Sequence, residues 1–207
     1  MIRSYLSNKL FFLVKISVLY LILTLQCLSG DLSEKNRLVV LGQDSAPVKI
    51  KIFSSFTCPH CSKFHFDVVP KIKKEFIDKG KVQIIFIDFP LDQAAFNASK
   101  LLHCLDKKKQ INYLDVIYEN QNKWTSGSTI KDINKNLKKI VENLGMNSDR
   151  FDRCLINEKI SDKILNNRID AHKRYEIDAT PTVVINEKKL SGSADFKNIK
   201  KKIEKLI

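Results

Sequence analysis

No stretch of this 207-residue chain is rich enough in glycine or proline to link independent domains, and no segment repeats; six glycines and five prolines are spread thinly along it. That length favours one domain, or one domain with an elaboration. It is also long enough to bury a real hydrophobic core, which excludes a miniprotein held together only by its five cysteines. Residues 1–30 contain no acidic residue; their charges are Arg3, Lys9 and Lys15, and an almost unbroken apolar run follows from Ile16 to Leu28. This is the layout of a secretory signal peptide, with small residues at Ser29 and Gly30 for cleavage. The apolar run falls short of the roughly 20 residues that a spanning helix needs. Lys15 would lie inside any longer span, so a cleaved signal is favoured over an uncleaved anchor. Cys27 follows Gln26, where a lipidation signal wants a small residue, and is read as part of the discarded peptide.

Loss of Arg3, Lys9 and Lys15 takes the formal net charge from +13 to +10, still strongly basic. The lysine clusters at 71–74, 107–109 and 200–202 have no interleaved aromatic residues and alternate with Glu75, Asp78, Asp106 and Glu204. They read as solvated helix faces, not as a nucleic-acid surface. Without Cys27, four cysteines remain, an even number in an exported chain, where disulfide chemistry is permitted.

Two strands are expected at Arg37 to Leu41 and Val48 to Phe53, with Gly42 to Pro47 as the turn. Cys58-Pro59-His60-Cys61 follows, and then apolar residues at Phe64, Val68, Ile72 and Phe76 at near-helical spacing, stopped by Gly80. Val82 to Ile87 is apolar enough for a strand buried on both faces, giving strand, helix, strand. From Leu91 to about Glu176 the pattern is helical, with Gly145 as a stop and Ser148 as a cap. Thr182 to Asn186 and Lys188 to Gly192 read as a hairpin around Asn186-Glu187, and Ser193 as the cap of a last helix with Phe196, Ile199, Ile203 and Leu206 inward. The expected class is α/β, a βαβ…ββα scaffold split by a helical insertion. Its expected partition is a signal at 1–30, the first part of the domain at 31–90, the insertion at 91–176 and the second part at 177–207.

Two cysteines separated by two residues close a small disulfide at a helix start, where unpaired N–H groups stabilise a thiolate. Cys58, at the N-cap end, is the expected nucleophile; Cys61 lies further into the first turn and deeper. Pro59 is tolerated in that turn, and His60 acts on the neighbouring sulfur through charge or a hydrogen bond. A stabilised thiolate makes the disulfide a stronger oxidant. Zinc on Cys58, Cys61 and His65 would lack a fourth ligand, and haem attachment would need histidine where Ser62 stands. A purely structural bridge remains open, although so short a loop removes little unfolded-chain entropy. The second landmark is Ala179-Thr180-Pro181-Thr182, running straight into an apolar strand.

Phe53-Ser54-Ser55-Phe56-Thr57-Cys58-Pro59-His60-Cys61, the Thr180-Pro181 pair and the helical block between them make the chain similar to the DsbA family of thioredoxin-like proteins, over nearly all of Arg37 to Ile207. The resemblance implies that Pro181 is cis and packs beside the dithiol, and that Thr180 offers backbone groups to a bound cysteine-containing segment. It also implies a periplasmic enzyme that introduces disulfides into reduced, cysteine-containing exported proteins and is reoxidised by a quinone-linked membrane partner. A monomer is expected, with no cofactor, metal or nucleic acid. The alternatives are an isomerase or reductase of the same fold, or a redox-silent binding or metal-carrier module. The short stretch between the signal and the first strand leaves no room for a dimerisation domain of the kind isomerases carry, which favours the oxidase. Two departures stand out. Ala179 occupies a place where many members have glycine, and Ile52 stands six positions before Cys58, where thioredoxin-like proteins often carry an acid that helps proton transfer from the buried thiol.

Cys104 and Cys154 either form a second disulfide pinning two insertion helices, the alternative that export favours, or are two reduced, buried thiols. His65, His103 and His172 have helical contexts and no evident partners, and Trp124 is expected to pack in the insertion core.

Overall fold

The structure is a computed structural model, and residues 38–207 are described. The expected export signal and Cys27 lie outside the described residues. Among those described, no helix is long and apolar enough to cross a membrane.

Five strands form one mixed sheet in the order β1-β3-β2-β4-β5: β1 Val39–Leu41, β2 Val48–Ser54, β3 Val82–Asp88, β4 Thr182–Ile185 and β5 Lys188–Lys189. Central β2 runs parallel to β3 in register from Val48↔Val82 to Ser54↔Asp88, and antiparallel to β4 from Ile50↔Ile185 to Phe53↔Thr182. The alternation in Val48-Lys49-Ile50-Lys51-Ile52 sends the aliphatic side chains to one face, where they meet Val82, Ile84, Val183 and Ile185. The two lysines point to the other face and reach its rim. Lys49 Nζ donates to Gln83 Oε1 at 3.0 Å, and Lys51 Nζ to the Tyr175 hydroxyl at 2.9 Å.

The aliphatic face is covered by α1 (Pro59–Asp67), α2 (Val69–Ile72) and α9 (Phe196–Glu204). One continuous helix was expected from the spacing of Phe64, Val68, Ile72 and Phe76. Instead the helix breaks at Val68, passes through α2 and widens into a π-helical turn at Lys73–Ile77. The reasons are local. Pro70 has no N–H to continue the ladder, and strict four-residue steps drift by about 40° per step around a 3.6-residue helix. The break and the wider turn keep Ile72, Phe76 and Ile77 on the sheet.

Between β3 and β4 lie α3 (Gln93–Cys104), α4 (Lys107–Glu119), α5 (Gln121–Trp124), α6 (Ile130–Asn143), α7 (Ser148–Leu155) and α8 (Glu158–Tyr175). Trp124, Tyr113, Leu101, Ile117, Leu137 and Met146 are fully buried in their shared core, which also takes in Phe56 and both cysteines of the dithiol. The Trp124 indole N–H is satisfied by the Ile117 carbonyl at 2.8 Å. Two caps differ from expectation. Asn147, not Ser148, caps α7 by accepting the Arg150 N–H at 2.9 Å, and Asp195, not Ser193, caps α9 through Asn198 N–H at 2.8 Å. In each case the capping residue holds the extended backbone that a cap needs, and the serine lies one position inside or two outside.

The hairpin turn is Asn186-Glu187, both with positive φ, 43° and 65°. A glycine would sit there without strain. Glu187 is held instead by side-chain contacts to Lys51, Tyr175 and Arg174, which also keep its carboxyl below the usual range, the Lys51 hydrogen bond first.

A disulfide joins Cys104, at the end of α3, to Cys154 of α7, with Cα atoms 6.1 Å apart and the two cysteines 50 positions apart in sequence. Closing so long a loop lowers the entropy of the unfolded chain by about 4 kcal/mol in the chain-entropy model. Replacing both cysteines with alanine is expected to lower the unfolding free energy by about 2–4 kcal/mol with the fold retained, as read from urea denaturation of the oxidised protein.

Candidate functional site

β2 ends at Ser54, and the next three residues turn the chain so that Cys58 becomes the N-cap of α1, with Pro59 as its first helical residue. The turn is fastened from several sides. Cys58 N–H donates to the Ser55 carbonyl at 3.2 Å, and the Cys58 carbonyl accepts from Cys61 and Ser62 N–H at 3.1 and 3.3 Å. The Thr57 hydroxyl donates to Asp92 at 2.6 Å, and Asp92 also caps α3 through Ala95 N–H at 2.8 Å, so one carboxylate ties the dithiol loop to the insertion. Buried Gln121 donates its amide to the carbonyls of Phe56 and Cys58, at 2.7 and 3.1 Å. Nothing in the sequence marked Gln121; its role arises only once α5 folds back over the turn.

Both site cysteines are thiols in this structure. Cys58 is 8 % exposed and Cys61 2 %. The Cys58 thiol donates to the Thr180 carbonyl at 3.3 Å, across the chain from the cis Thr180–Pro181 bond. Two landmarks separated by more than 120 residues therefore meet at one sulfur. His60 and Pro59 lie exposed on the first turn, and no acidic residue stands there to compete with a thiolate for the helix N–H groups. Burial pushes the Cys61 thiol up to about 12; the Thr180 hydroxyl and the Ser55 backbone act in the opposite direction and are outweighed.

Two of the histidines without evident partners are in fact paired. His65 meets Asp115 at 2.7 Å, and His103 meets Asp88 at 2.6 Å, the latter with Asp88 buried and His103 at the edge of the core. The sequence signal for the second pair was slight: a carboxylate between Ile87 and Phe89, at the end of an apolar strand, needs a partner. His172 Nδ1 lies 3.1 Å from the Ile177 carbonyl in the loop leading to Pro181. Among the described residues no group of three or more histidine, cysteine, aspartate or glutamate side chains is arranged to hold a metal ion. A thiol near the surface, backed by a more deeply buried one and lying against the Thr180 carbonyl that precedes the cis bond, is equipped for thiol-disulfide exchange.

Residues 34–205 match the family model described as Thioredoxin. The chain is 33 % identical over 186 residues to disulfide bond formation protein D of Bacillus subtilis, covering 86 % of this chain and 80 % of that protein. Among solved structures it superposes on alpha-DsbA1 of Wolbachia pipientis with a TM-score of 0.73 at 32 % identity, covering 82 % of this chain and 90 % of that one. It superposes on oxidised BdbD of Bacillus subtilis with a TM-score of 0.71 at 27 % identity, covering 82 % and 92 %.

With its pKa near 12, the Cys61 thiol is ionised in only about one molecule in 10⁵ at pH 7. Iodoacetamide at pH 7 is therefore expected to label Cys58 and leave Cys61 intact, as peptide mass mapping will show. Its ordinary pKa of 9.0 is raised on folding, so the folded state holds the proton longer. The stability this lends is complete below pH 9 and is lost as pH rises from 9 through about 12, at up to about 1.4 kcal/mol per pH unit. The reduced protein should lose stability over that window relative to the oxidised one, whose Cys61 cannot titrate, in parallel denaturation series.

Proposed function

This chain belongs to the DsbA-type, thioredoxin-fold thiol-disulfide oxidoreductases, and on that footing we propose that it is an exported oxidase that introduces disulfides into cysteine-containing proteins through Cys58 and Cys61. The observation that carries this reading is the Cys58 sulfur lying 3.3 Å from the carbonyl of the cis Thr180–Pro181 unit. An extended substrate segment beside Pro181 brings its own cysteine to that sulfur while its backbone pairs with Thr180.

The reaction begins with the Cys58–Cys61 disulfide. A substrate thiolate attacks the Cys58 sulfur, the Cys58–Cys61 bond breaks, and Cys61 leaves with the electron pair and takes up a proton. A second substrate thiolate then attacks the mixed disulfide at the substrate sulfur and expels Cys58 as a thiolate. The substrate has lost two electrons and the enzyme dithiol has gained them. Reoxidation falls to a quinone-linked membrane partner. Pro59 and His60, both exposed on the first turn, line the approach to Cys58.

Export is supported by the basic-then-apolar layout of residues 1–30 and by the Cys104–Cys154 disulfide, which suits an oxidising compartment such as the periplasm. On this reading residues 177–207 and the described residues up to 90 belong to one thioredoxin-like domain, interrupted by the helices of 91–176. The protein acts as a monomer on protein thiols, with no nucleic acid involved. The name disulfide bond formation protein D, borne by the Bacillus relative, supports the oxidase over an isomerase or reductase.

The test is transfer of the disulfide to a reduced two-cysteine peptide, followed by mass spectrometry, together with equilibration against glutathione. Stoichiometric oxidation is expected, with a reduction potential well above the roughly −270 mV of a thioredoxin. Cys58→Ser and Cys61→Ser should each abolish transfer, since neither can form the Cys58–Cys61 disulfide; mixed instead with the oxidised peptide, Cys61→Ser should accumulate the mixed disulfide, its Cys58 thiolate attacking the peptide's disulfide and releasing the other peptide thiolate. A potential at or below the thioredoxin value would make the protein a reductase, and an absence of exchange would leave a binding module.

A further inference from the structure

When exchange expels Cys61 from its disulfide, the thiolate is left 2 % exposed in an apolar core, where the thiol form is strongly favoured. A proton must reach it, and bulk water does not. Behind the sulfur lies a small cavity lined by Cys61, Ile52, Ser54, Phe56, Phe86 and Asp88, among others, with about 20 Å³ open to the centre of a water molecule. That is room for one water.

The strand register explains why Asp88 opens onto this cavity. β2 and β3 are parallel, with Ile52 opposite Phe86 and Ser54 opposite Asp88. Residues two apart on a strand share a face. Asp88 therefore points to the same side of the sheet as Ile52 and as the dithiol helix, one strand over and two residues further along. It is 6 % exposed and meets His103 Nε2 at 2.6 Å. A buried carboxylate–imidazole pair is a poor way to stabilise a core, since apolar residues of similar volume commonly serve as well or better. Its place beside the cavity gives it another use.

We propose that the Asp88–His103 pair is the proton relay of the buried thiol, delivering a proton to Cys61 through one water in the cavity as Cys61 leaves its disulfide. The water gives its proton to the Cys61 thiolate, the pair returns one to the water, and His103, at the edge of the core, is replenished from solvent. In the opposite direction, when Cys61 attacks a mixed disulfide, the same path removes its proton. The pair is a positioning and proton-transfer element acting through the water, not a group that touches substrate.

The other titratable groups around Asp88 fit this assignment. From α4, Tyr113 and Tyr118 are held fully protonated, first by burial, and serve as neither base nor acid near neutrality. From α1, His65 also lines the cavity, but its Nε2 is engaged by Asp115 at 2.7 Å. From α3 comes His103 itself.

The relay presupposes the exchange chemistry at Cys58 and Cys61 proposed above, and its test separates the two. The oxidised protein is reduced under single-turnover conditions by a two-cysteine peptide and, separately, by dithiothreitol, from pH 5 to 9. Reduction by dithiothreitol expels Cys61 whatever the biological direction of electron flow. Asp88→Asn is expected to slow both reactions by about ten- to a hundredfold at pH 7 and to erase the inflection that remains after ionisation of the attacking thiol is allowed for. Labelling of Cys58 by iodoacetamide should be unchanged. His103→Gln should act in the same way and serves in place of Asp88→Asn if that variant does not fold. Placing a carboxylate one strand over, in Ile52→Glu/Asp88→Asn, should recover part of the rate. A folded Asp88→Asn or His103→Gln variant that matches the parent within about twofold, with the same pH profile, would overturn the relay. A parent that is reduced by dithiothreitol but oxidises no peptide would overturn only the oxidase reading.

Discussion

β2 and β3 pair in parallel over their full length, from Val48↔Val82 to Ser54↔Asp88, and most of the chemistry is set by where those two strands stop. β2 delivers the chain into the turn that carries Cys58, and β3 ends in Asp88 on the same side. β4, antiparallel on the other flank of β2, begins one residue after Pro181 and so places the cis peptide against the Cys58 sulfur. A slip of one residue between β2 and β3 would turn Asp88 to the opposite face and the aliphatic residues of β3 away from α1. The alternation of Ile and Lys in β2 makes such a slip costly, because it would bury Lys49 and Lys51 in the core.

The helical insertion does more than cover the site. Gln121, on α5, and Asp92, at the start of the insertion, hold the backbone and the Thr57 side chain of the dithiol turn, while Phe56 packs edge-on against Tyr113 and tilted against Tyr118. The turn is therefore braced by hydrogen bonds and by aromatic contacts from helices distant in sequence. The Cys104–Cys154 bridge fastens α3 to α7, and the buried Lys100 Nζ donates to the Leu155 carbonyl at 2.8 Å beside it. Burial lowers the Lys100 pKa, yet that hydrogen bond keeps the group satisfied.

What was legible in the sequence was what depends on neighbours along the chain. The alternation of β2, the apolar run of β3, the cysteines at a strand-to-helix junction and the hairpin at Asn186-Glu187 are local patterns, and the split α/β scaffold follows from their order. The break at Val68 was half visible, since Pro70 was in plain view, but an unbroken four-residue apolar spacing argued for one helix. The caps at Asn147 and Asp195 lie within two residues of serines equally able to cap, and only backbone dihedrals distinguish them. The pairings His65–Asp115, His103–Asp88 and Gln121 with the dithiol turn bring together residues separated by 15 to 65 positions. No periodicity encodes them, because they exist only after the insertion has packed.

On its β4 side the sheet ends in β5, two exposed residues long, Lys188 and Lys189. An edge strand offers unpaired backbone groups to any extended chain that passes, and short length and lysines are the usual defences against such pairing. Substrate segments of the extended kind proposed above would be rich in unsatisfied backbone groups. A longer apolar border would let them zip onto the enzyme far from the cysteines and stay there. The clipped, cationic border gives no such foothold, which suits the docking of a substrate segment proposed beside Pro181: a client would be held where its sulfur can react and be free to depart once it has done so.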